Sequence, residues 1–126
     1  MEWLFRSALF VLALGIAQPG FATEALGTPF PGAKTDALSR KPDACGFRYK
    51  LTTSASIGRV ADYFLAQGRS NGLTLLKDTG AQFEGYRMIS FDEKGPGRVL
   101  FVTLQTMGPG VQGSVYYVTA RTPHCS

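Results

Sequence analysis

The sequence predicts an α+β domain in which one helix packs across an antiparallel sheet of about five strands, in the order β-α-β-β-β-β. Apolar and polar residues alternate over residues 46–52, which indicates a half-buried strand. Apolar residues then recur at helical spacing over residues 57–65, which indicates one amphipathic helix. The remainder divides into short strand-like runs separated by brief Gly/Pro turns, a pattern typical of an antiparallel meander.

The first strand and the helix are the best-defined elements. The strand has an apolar side with Phe47, Tyr49 and Leu51 and a polar side with Arg48 and Lys50. Polar residues 52–56 supply good helix N-caps, and the helix ends near residue 68 or 72. Its apolar stripe consists of Ile57, Val60, Ala61, Phe64 and Leu65. Such a stripe needs a sheet face to cover, so a two-layer domain follows.

Four further strands are predicted after the helix. They cover residues 73–77, 82–91, 98–106 and 113–121. Gly85 interrupts the second of them, which suggests a bulge. In the third, Leu100, Val102 and Leu104 share one face.

The amino-terminal region reads as a secretory signal followed by a lead-in. The apolar run over residues 7–17 is too short to span a bilayer core of about 30 Å as a helix. Residues 18–20 break it, and Gly20 and Ala22 are small residues at the positions that a signal peptidase reads. We therefore expect a cleavable signal over 1–22, an extended Pro/Gly-rich lead-in over 23–44 and one domain over 45–126. The expected protein is exported, periplasmic or secreted, without a transmembrane segment in its mature chain; a membrane anchor is the alternative.

The two cysteines, Cys45 and Cys125, both lie in the predicted mature chain. An even count in an exported chain favours a disulfide, and two cysteines allow only one pairing. The bond would close a loop of about 80 residues, for which chain entropy gives roughly 4.5 kcal/mol. Its expected role is to fix the carboxyl terminus, since no Cys-x-x-Cys motif suggests redox chemistry.

Composition argues against an enzyme and against a cofactor. The 126 residues include one His and two Cys, too few for a multi-cysteine zinc site. His124 stands alone near the end, and the adjacent Asp92 and Glu93 precede a Gly-Pro-Gly turn, where solvated carboxylates are expected. A minimal hydrolase that uses His124 with Glu84 is the weakest of the functional hypotheses. We expect a non-catalytic protein without cofactor or metal.

Several short motifs resemble those of small exported bacterial proteins of unknown function. The motifs are the lead-in Pro29-Phe30-Pro31-Gly32-Ala33, the strand end Tyr49-Lys50-Leu51-Thr52-Thr53-Ser54, the helical Val60-Ala61-Asp62-Tyr63-Phe64 and the following Gly72-Leu73. Those proteins carry a Pro-x-Pro-Gly-Ala lead-in and a Val-x-x-Phe-Tyr … Gly-Trp unit, and the resemblance covers about residues 29–75. Here the Tyr63-Phe64 order is reversed, and Leu73 replaces the aromatic residue. The resemblance implies a small envelope-associated domain and no catalytic residues.

The net charge of +4 and the strand alternation suggest a cationic binding surface on the solvent side of the sheet. The predicted binding residues are Arg48, Lys50, Arg87, Tyr86 and Tyr117. The expected partner is another envelope or secreted protein, or an anionic glycan or lipid. Nucleic acid is not expected, because the sequence carries no nucleic-acid-binding motif. The alternative function is a small periplasmic inhibitor or immunity protein against a hydrolase or toxin, with the predicted loop 107–113 as its plug.

Overall fold

The computed structural model describes residues 24–39, 45–95 and 97–119, with the side chains of residues 37–39 left aside. These residues form one helix and six strands: β1 (Lys34–Ser39), β2 (Gly46–Thr53), α1 (Ile57–Ser70), β3 (Thr74–Asp78), β4 (Tyr86–Asp92), β5 (Val99–Met107) and β6 (Gly110–Val118). All neighbouring strands are antiparallel, and the sheet order is β1-β2-β6-β5-β4-β3. The predicted α+β architecture, with one helix on an antiparallel sheet, is confirmed.

Strand β1 is an addition to the predicted topology, which had five strands. It forms within the lead-in and pairs with β2 from Lys34 opposite Thr52 to Ser39 opposite Arg48. Residues 34–36 are exposed, as befits an edge strand, so the segment carries no apolar alternation. Its strand conformation depends on pairing with β2, which a local sequence pattern does not reveal.

Helix α1 follows the predicted pattern closely. The side chain of Ser56 accepts a hydrogen bond from the Arg59 backbone N–H and caps the first turn. Val60, Ala61 and Phe64 are fully buried. The helix packs against β3, β4 and β5, so it covers only part of one sheet face.

The core lies between this helix and the inner side of the sheet. Leu100, Val102 and Leu104, which the alternation predicts on one face, are all completely buried, so that face is the inner one. Ile89 and Phe91 on β4 complete the same layer. Helix and sheet approach closely where Gly68 faces Phe91, since a β-carbon at Gly68 would overlap the ring.

Residues 24–33, which we call the strap, cover the same sheet face beside the helix. Leu26 is buried in the core, and the Tyr49 hydroxyl donates to the Gly27 carbonyl oxygen at 2.8 Å. Gln67 of the helix bonds to both Gly27 and Thr28. A hydrogen bond from the Ala33 N–H to the Phe30 carbonyl at 3.0 Å closes a turn within the Pro-rich motif. Helix and strap together fill one face of the sheet.

Two strand boundaries differ from the prediction. Strand β4 begins at Tyr86 rather than at residue 82, because residues 79–85 form a loop. The predicted bulge at Gly85 is wrong: this glycine ends the loop with a φ of 70°. Strand β6 begins at Gly110 rather than at residue 113, since the turn before it contains only Gly108 and Pro109.

The start of β2, next to Cys45, lies beside the end of β6. Gly46 pairs with Val118, and the Thr119 N–H donates to the Cys45 carbonyl at 3.1 Å. Cys125 is outside the described residues, so the pairing of Cys45 with Cys125 stays a prediction. The expected signal over 1–22 is outside them as well. Within the described ranges, no helix is both long and apolar enough to cross a membrane.

Candidate binding surface

The sheet has a second face, which no described helix or strand covers. Side chains alternate between faces along each strand, so those adjacent in sequence to the buried residues point to this side. On this side, the strand register aligns the side chains of four adjacent strands in three rows. Each row is written in the order β4, β5, β6, β2: Tyr86–Gln105–Gln112–Thr52, Met88–Thr103–Ser114–Lys50 and Ser90–Phe101–Tyr116–Arg48. We call these twelve residues the open face.

The cationic part of the open face lies on β2. The Arg48 guanidinium carbon lies 5.3 Å from the centroid of the Tyr116 ring on the next strand. Such a cation–π contact stabilises an exposed arginine by about 0.5–1 kcal/mol and fixes its orientation. Lys50 follows two residues later, on the same side and roughly 7 Å along the strand. Both side chains are exposed and take part in neither of the two described ion pairs.

The charges on this side of the whole sheet sum to a positive value. Besides Arg48 and Lys50, the register places Lys34 of β1 and Lys77 of β3 on it. The carboxylates on the same side are Asp36 and Asp92. Four cations against two carboxylates leave a net charge of +2. This side of the sheet therefore attracts anions.

A shallow pocket of about 180 Å³ lies within the open face. Its lining side chains from this face are Lys50, Tyr86, Thr103, Gln105, Gln112 and Ser114. Tyr86 forms one wall and is 37% exposed. Apart from that ring, the side chains that the open face contributes to the lining are hydrogen-bonding or cationic.

The five predicted binding residues divide between the two faces. Arg48, Lys50 and Tyr86 lie together on the open face. Arg87 and Tyr117 lie on the other side. Grouping all five on one side was wrong, because consecutive strand residues such as Tyr86 and Arg87 point to opposite faces.

Arg87 is engaged in a structural ion pair. Its Nε and Nη2 atoms both donate to the Asp78 carboxylate, each at 2.9 Å. The paired guanidinium holds the pKa of Asp78 below its usual range, with help from a hydrogen bond from the Gly80 N–H. Asp78 in turn raises the pKa of Arg87. The pair joins β3 to β4, so Arg87 serves the fold.

Tyr117 is a packing residue beneath the strap. Its ring stacks on Phe47 with centroids 5.3 Å apart and meets Tyr49 edge-on at 6.4 Å. A β-carbon at Gly27 would overlap the Tyr117 ring, so the strap backbone lies directly on it. Desolvation by burial raises the pKa of Tyr49 above its usual range. These rings form the floor on which the strap lies.

The residues that the sequence analysis left out of the site are neutral. Gln105 and Gln112 are directly opposite each other, and so are Thr103 and Ser114. The available signal was the alternation in 99–107, where polar residues flank the buried leucine at 104. It indicates an outward polar face but does not show that four strands align such residues in rows.

An apolar group that borders the open face, the turn-end patch, consists of Phe83, Met107 and the shared residue Tyr86. Phe83 is 49% exposed and Met107 is 56% exposed, and the Phe83 and Tyr86 rings meet edge-on at 6.1 Å. Met107 lies beside a cavity of about 450 Å³ at the same end of the sheet. The expected plug over 107–113 is wrong as a loop, because residues 110–113 belong to β6 and only two residues form the turn.

The residues suggested for catalysis are not assembled by the described structure. Glu84 is exposed in the loop 79–85, and His124 is outside the described residues. The described ranges contain no group of three or more His, Cys, Asp or Glu residues that could hold a metal ion. Comparison with known proteins found no matching family model and no matching curated protein.

Proposed function

We propose that this protein is an exported, non-catalytic binding module that holds another envelope or extracellular macromolecule on its open face. The observation that carries the proposal is the difference between the two faces of the sheet. Helix and strap fill one face with buried apolar side chains. The other face combines exposed cations, aromatic rings and amides across four adjacent strands. Tyr and Arg are the residue types most enriched at binding hot spots.

The residue types of the open face support binding rather than catalysis. Its twelve residues include hydroxyl side chains and a lysine, but no carboxylate, imidazole or thiol that could activate a hydroxyl nucleophile. Outside the open face, the carboxylates of Asp78 and Glu93 form the two described ion pairs with Arg87 and Arg98. What the open face offers is a charged and aromatic contact area.

Affinity capture with matched variants tests this function. The immobilised protein is exposed to envelope and culture-supernatant extracts at low and high salt, and retained material is identified by mass spectrometry. The site variant is Arg48→Ser/Lys50→Ser. The control, Arg59→Ser/Arg69→Ser, removes the same charge from exposed positions of the helix, on the covered side of the sheet.

The expected result is a macromolecule that the parent and control proteins retain and the site variant does not. High salt should weaken retention, because the distance over which exposed charges attract falls from about 8 Å at 0.15 M to about 3 Å at 1 M ionic strength. Equal retention by the site and control variants would show that the open face does not bind. The salt comparison then separates a charge-driven contact elsewhere from an apolar one.

A second proposed function, inhibition of a hydrolase, is supported by the turn-end patch. Large exposed apolar side chains gathered at one end of a domain are typical of protein contacts. In this alternative the protein inhibits a wall-degrading or other envelope hydrolase, and Phe83→Ser/Met107→Ser relieves the inhibition while Arg48→Ser/Lys50→Ser does not. If an enzyme assay shows that Arg48→Ser/Lys50→Ser relieves the inhibition and Phe83→Ser/Met107→Ser does not, the patch is not the inhibitory surface.

A further inference from the structure

We propose that the ligand of the open face is an acidic oligosaccharide, with one sugar ring in the pocket beside Tyr86 and its carboxylates toward Arg48 and Lys50. This inference rests on the proposed binding function and names the class of ligand. Five observations support it: the polar centre of the face, the unbonded amides and hydroxyls, the positions of the rings, the size of the pocket, and the charge.

The centre of the open face is polar, which is the reverse of a protein–protein interface. Specific protein interfaces have an apolar centre and a polar rim. The middle row contains Thr103, Ser114 and Lys50, with Met88 at its β4 end. Tyr86 and Phe101 lie in the rows on either side. A protein partner would have to bury the hydroxyls at the centre of its contact. A ligand that itself carries many hydroxyls matches them.

Four neutral polar side chains of β5 and β6 on the open face are available to a ligand. Within the described part of the chain, the side chains of Thr103, Gln105, Gln112 and Ser114 make no hydrogen bond to protein. Each amide offers two N–H donors and a carbonyl acceptor, and each hydroxyl both donates and accepts. Sugar hydroxyls also donate and accept, so they can satisfy both kinds of group at once.

The aromatic rings lie where sugar rings can stack. Tyr86 and Phe101 are 37% and 36% exposed. Their rows are four residues apart along the strands, or roughly 13 Å at 3.3–3.4 Å per residue. The C–H faces of pyranose rings pack on aromatic faces, while their hydroxyls project sideways. Because one exposed ring lies on each side of the middle row, the arrangement suits an oligosaccharide that runs along the strands.

The pocket supports a chain rather than a free small molecule. Its volume of about 180 Å³ is below the roughly 300–1,000 Å³ of pockets that enclose drug-sized ligands. One ring can occupy it while neighbouring rings lie on the surface. Along β5, Phe101 lies beyond one end of the pocket and Met107 beyond the other, and both are exposed, so neighbouring rings of the chain can lie on them.

The charge of this side favours an acidic sugar over a neutral one. Arg48 and Lys50 lie on β2, beside the polar rows, and the side as a whole carries +2. Guanidinium binds carboxylates with paired hydrogen bonds, and its position over Tyr116 orients it before binding. Single-stranded nucleic acid also stacks on aromatic residues, but it needs a cationic groove along its backbone. Two central cations do not make one.

Titration calorimetry with defined probes tests the ligand class. The principal probe is an oligomer of galacturonic acid, and its methyl ester is the control that keeps the sugar and removes the charge. Poly-glutamate and oligo-thymidine represent an acidic polypeptide and nucleic acid. We expect the free acid to bind, the ester to bind at least about tenfold more weakly, and poly-glutamate and oligo-thymidine to bind more weakly than the free acid.

Variants separate the contributions of the two glutamine amides from those of the cations. Gln105→Ala/Gln112→Ala should weaken binding of the acid oligomer by about tenfold or more, whereas Gln82→Ala, at an exposed loop position, should leave it unchanged. Lys50→Met should weaken binding of the acid more than binding of the ester, because only the acid loses an ionic contact. Thermal unfolding of each variant verifies that the fold is retained.

Failure of this ligand class is distinguishable from failure of the binding function. Binding of poly-glutamate or oligo-thymidine as tightly as the sugar acid would overturn the oligosaccharide proposal, and so would indifference to Gln105→Ala/Gln112→Ala. If the sugar acid does not bind but Arg48→Ser/Lys50→Ser still abolishes capture from extracts, the ligand class is wrong and the binding function stands. If both experiments fail, the binding function itself is wrong.

Discussion

Gln67 fixes the strap to the helix, and its replacement tests whether the strap is part of the folded domain. The residue is 1% exposed, although its side chain is polar. Its Oε1 atom accepts from the Gly27 N–H at 2.9 Å, and its Nε2 atom donates to the Thr28 carbonyl at 2.9 Å. Tyr63 adds a second donor to that carbonyl at 3.1 Å. The perturbation we consider is Gln67→Leu.

The expected cost follows from which groups lose their partners. In Gln67→Leu the Thr28 carbonyl keeps the Tyr63 hydroxyl, but the buried Gly27 N–H has no acceptor left. A buried donor without a partner costs about 1–3 kcal/mol. The loss should lower the free energy of unfolding by about 2 kcal/mol. For a domain of this size that corresponds to a fall in Tm of roughly 8–16 °C.

Thermal and urea unfolding followed by circular dichroism measure the effect. The control is Gln82→Leu, at an exposed position, which should change the stability by less than about 0.5 kcal/mol. Amide hydrogen exchange at Gly27 should accelerate in Gln67→Leu, because the strap is released locally. Combined with Leu26→Ala, the two losses should be less than additive, since both loosen the same segment. A Gln67→Leu variant as stable as the control would refute the reasoning.

The remaining predictions concern packing and pH. Gly68→Ala should destabilise the domain by about 1–3 kcal/mol, because the new methyl group overlaps the Phe91 ring, whereas Gly58→Ala meets nothing within 4 Å and should stabilise the helix by about 0.5 kcal/mol. Opposite signs for the two variants in urea unfolding are the test. Asp78→Asn should lower the stability at pH 7. The pKa of Asp78 is depressed by Arg87 in the folded state, so this stabilisation is present above the carboxyl's unfolded pKa of about 4 and disappears as the pH falls through the folded pKa. The stability curves of the parent and Asp78→Asn should therefore converge in acid, and a constant difference down to pH 2 would contradict the assignment.

The elements that could be predicted from sequence are those with a local signature. The helix has five apolar residues on one stripe and a serine cap, and the structure confirms it from Ile57 to Ser70. The inner face of β5 follows from alternation alone. Strand β1 has no such signature, because both of its sides are exposed over residues 34–36 and only its pairing with β2 defines it. Non-local pairing is a property of two segments, and neither segment encodes it alone.

The candidate site shows the same limit in a sharper form. Alternation shows that Arg48 and Lys50 share a side, and the structure agrees. Whether a residue of β4 shares that side depends on register across β5 and β6. The side chains of Phe101 and Tyr116 join the site only because those two strands place them opposite each other. Composition and periodicity suggested the kinds of residue involved, but not their arrangement in rows.

The position of Arg87 is decided by its neighbours rather than by its own charge. Ile89 and Phe91 follow it at intervals of two and are completely buried, so β4 must present all three to the helix side. A shift of one residue would bring Arg87 to the open face but would expose both apolar side chains, at about 1.5–3 kcal/mol each. An ion pair that Arg87 formed on the open face would be exposed and would contribute only about 0–1 kcal/mol, which does not offset that loss. The arginine is therefore carried to the inner side, and Asp78 neutralises it there with a bidentate contact. The two cations on β2, Arg48 and Lys50, alternate with apolar residues that face inward, so the same alternation places both of them on the open face.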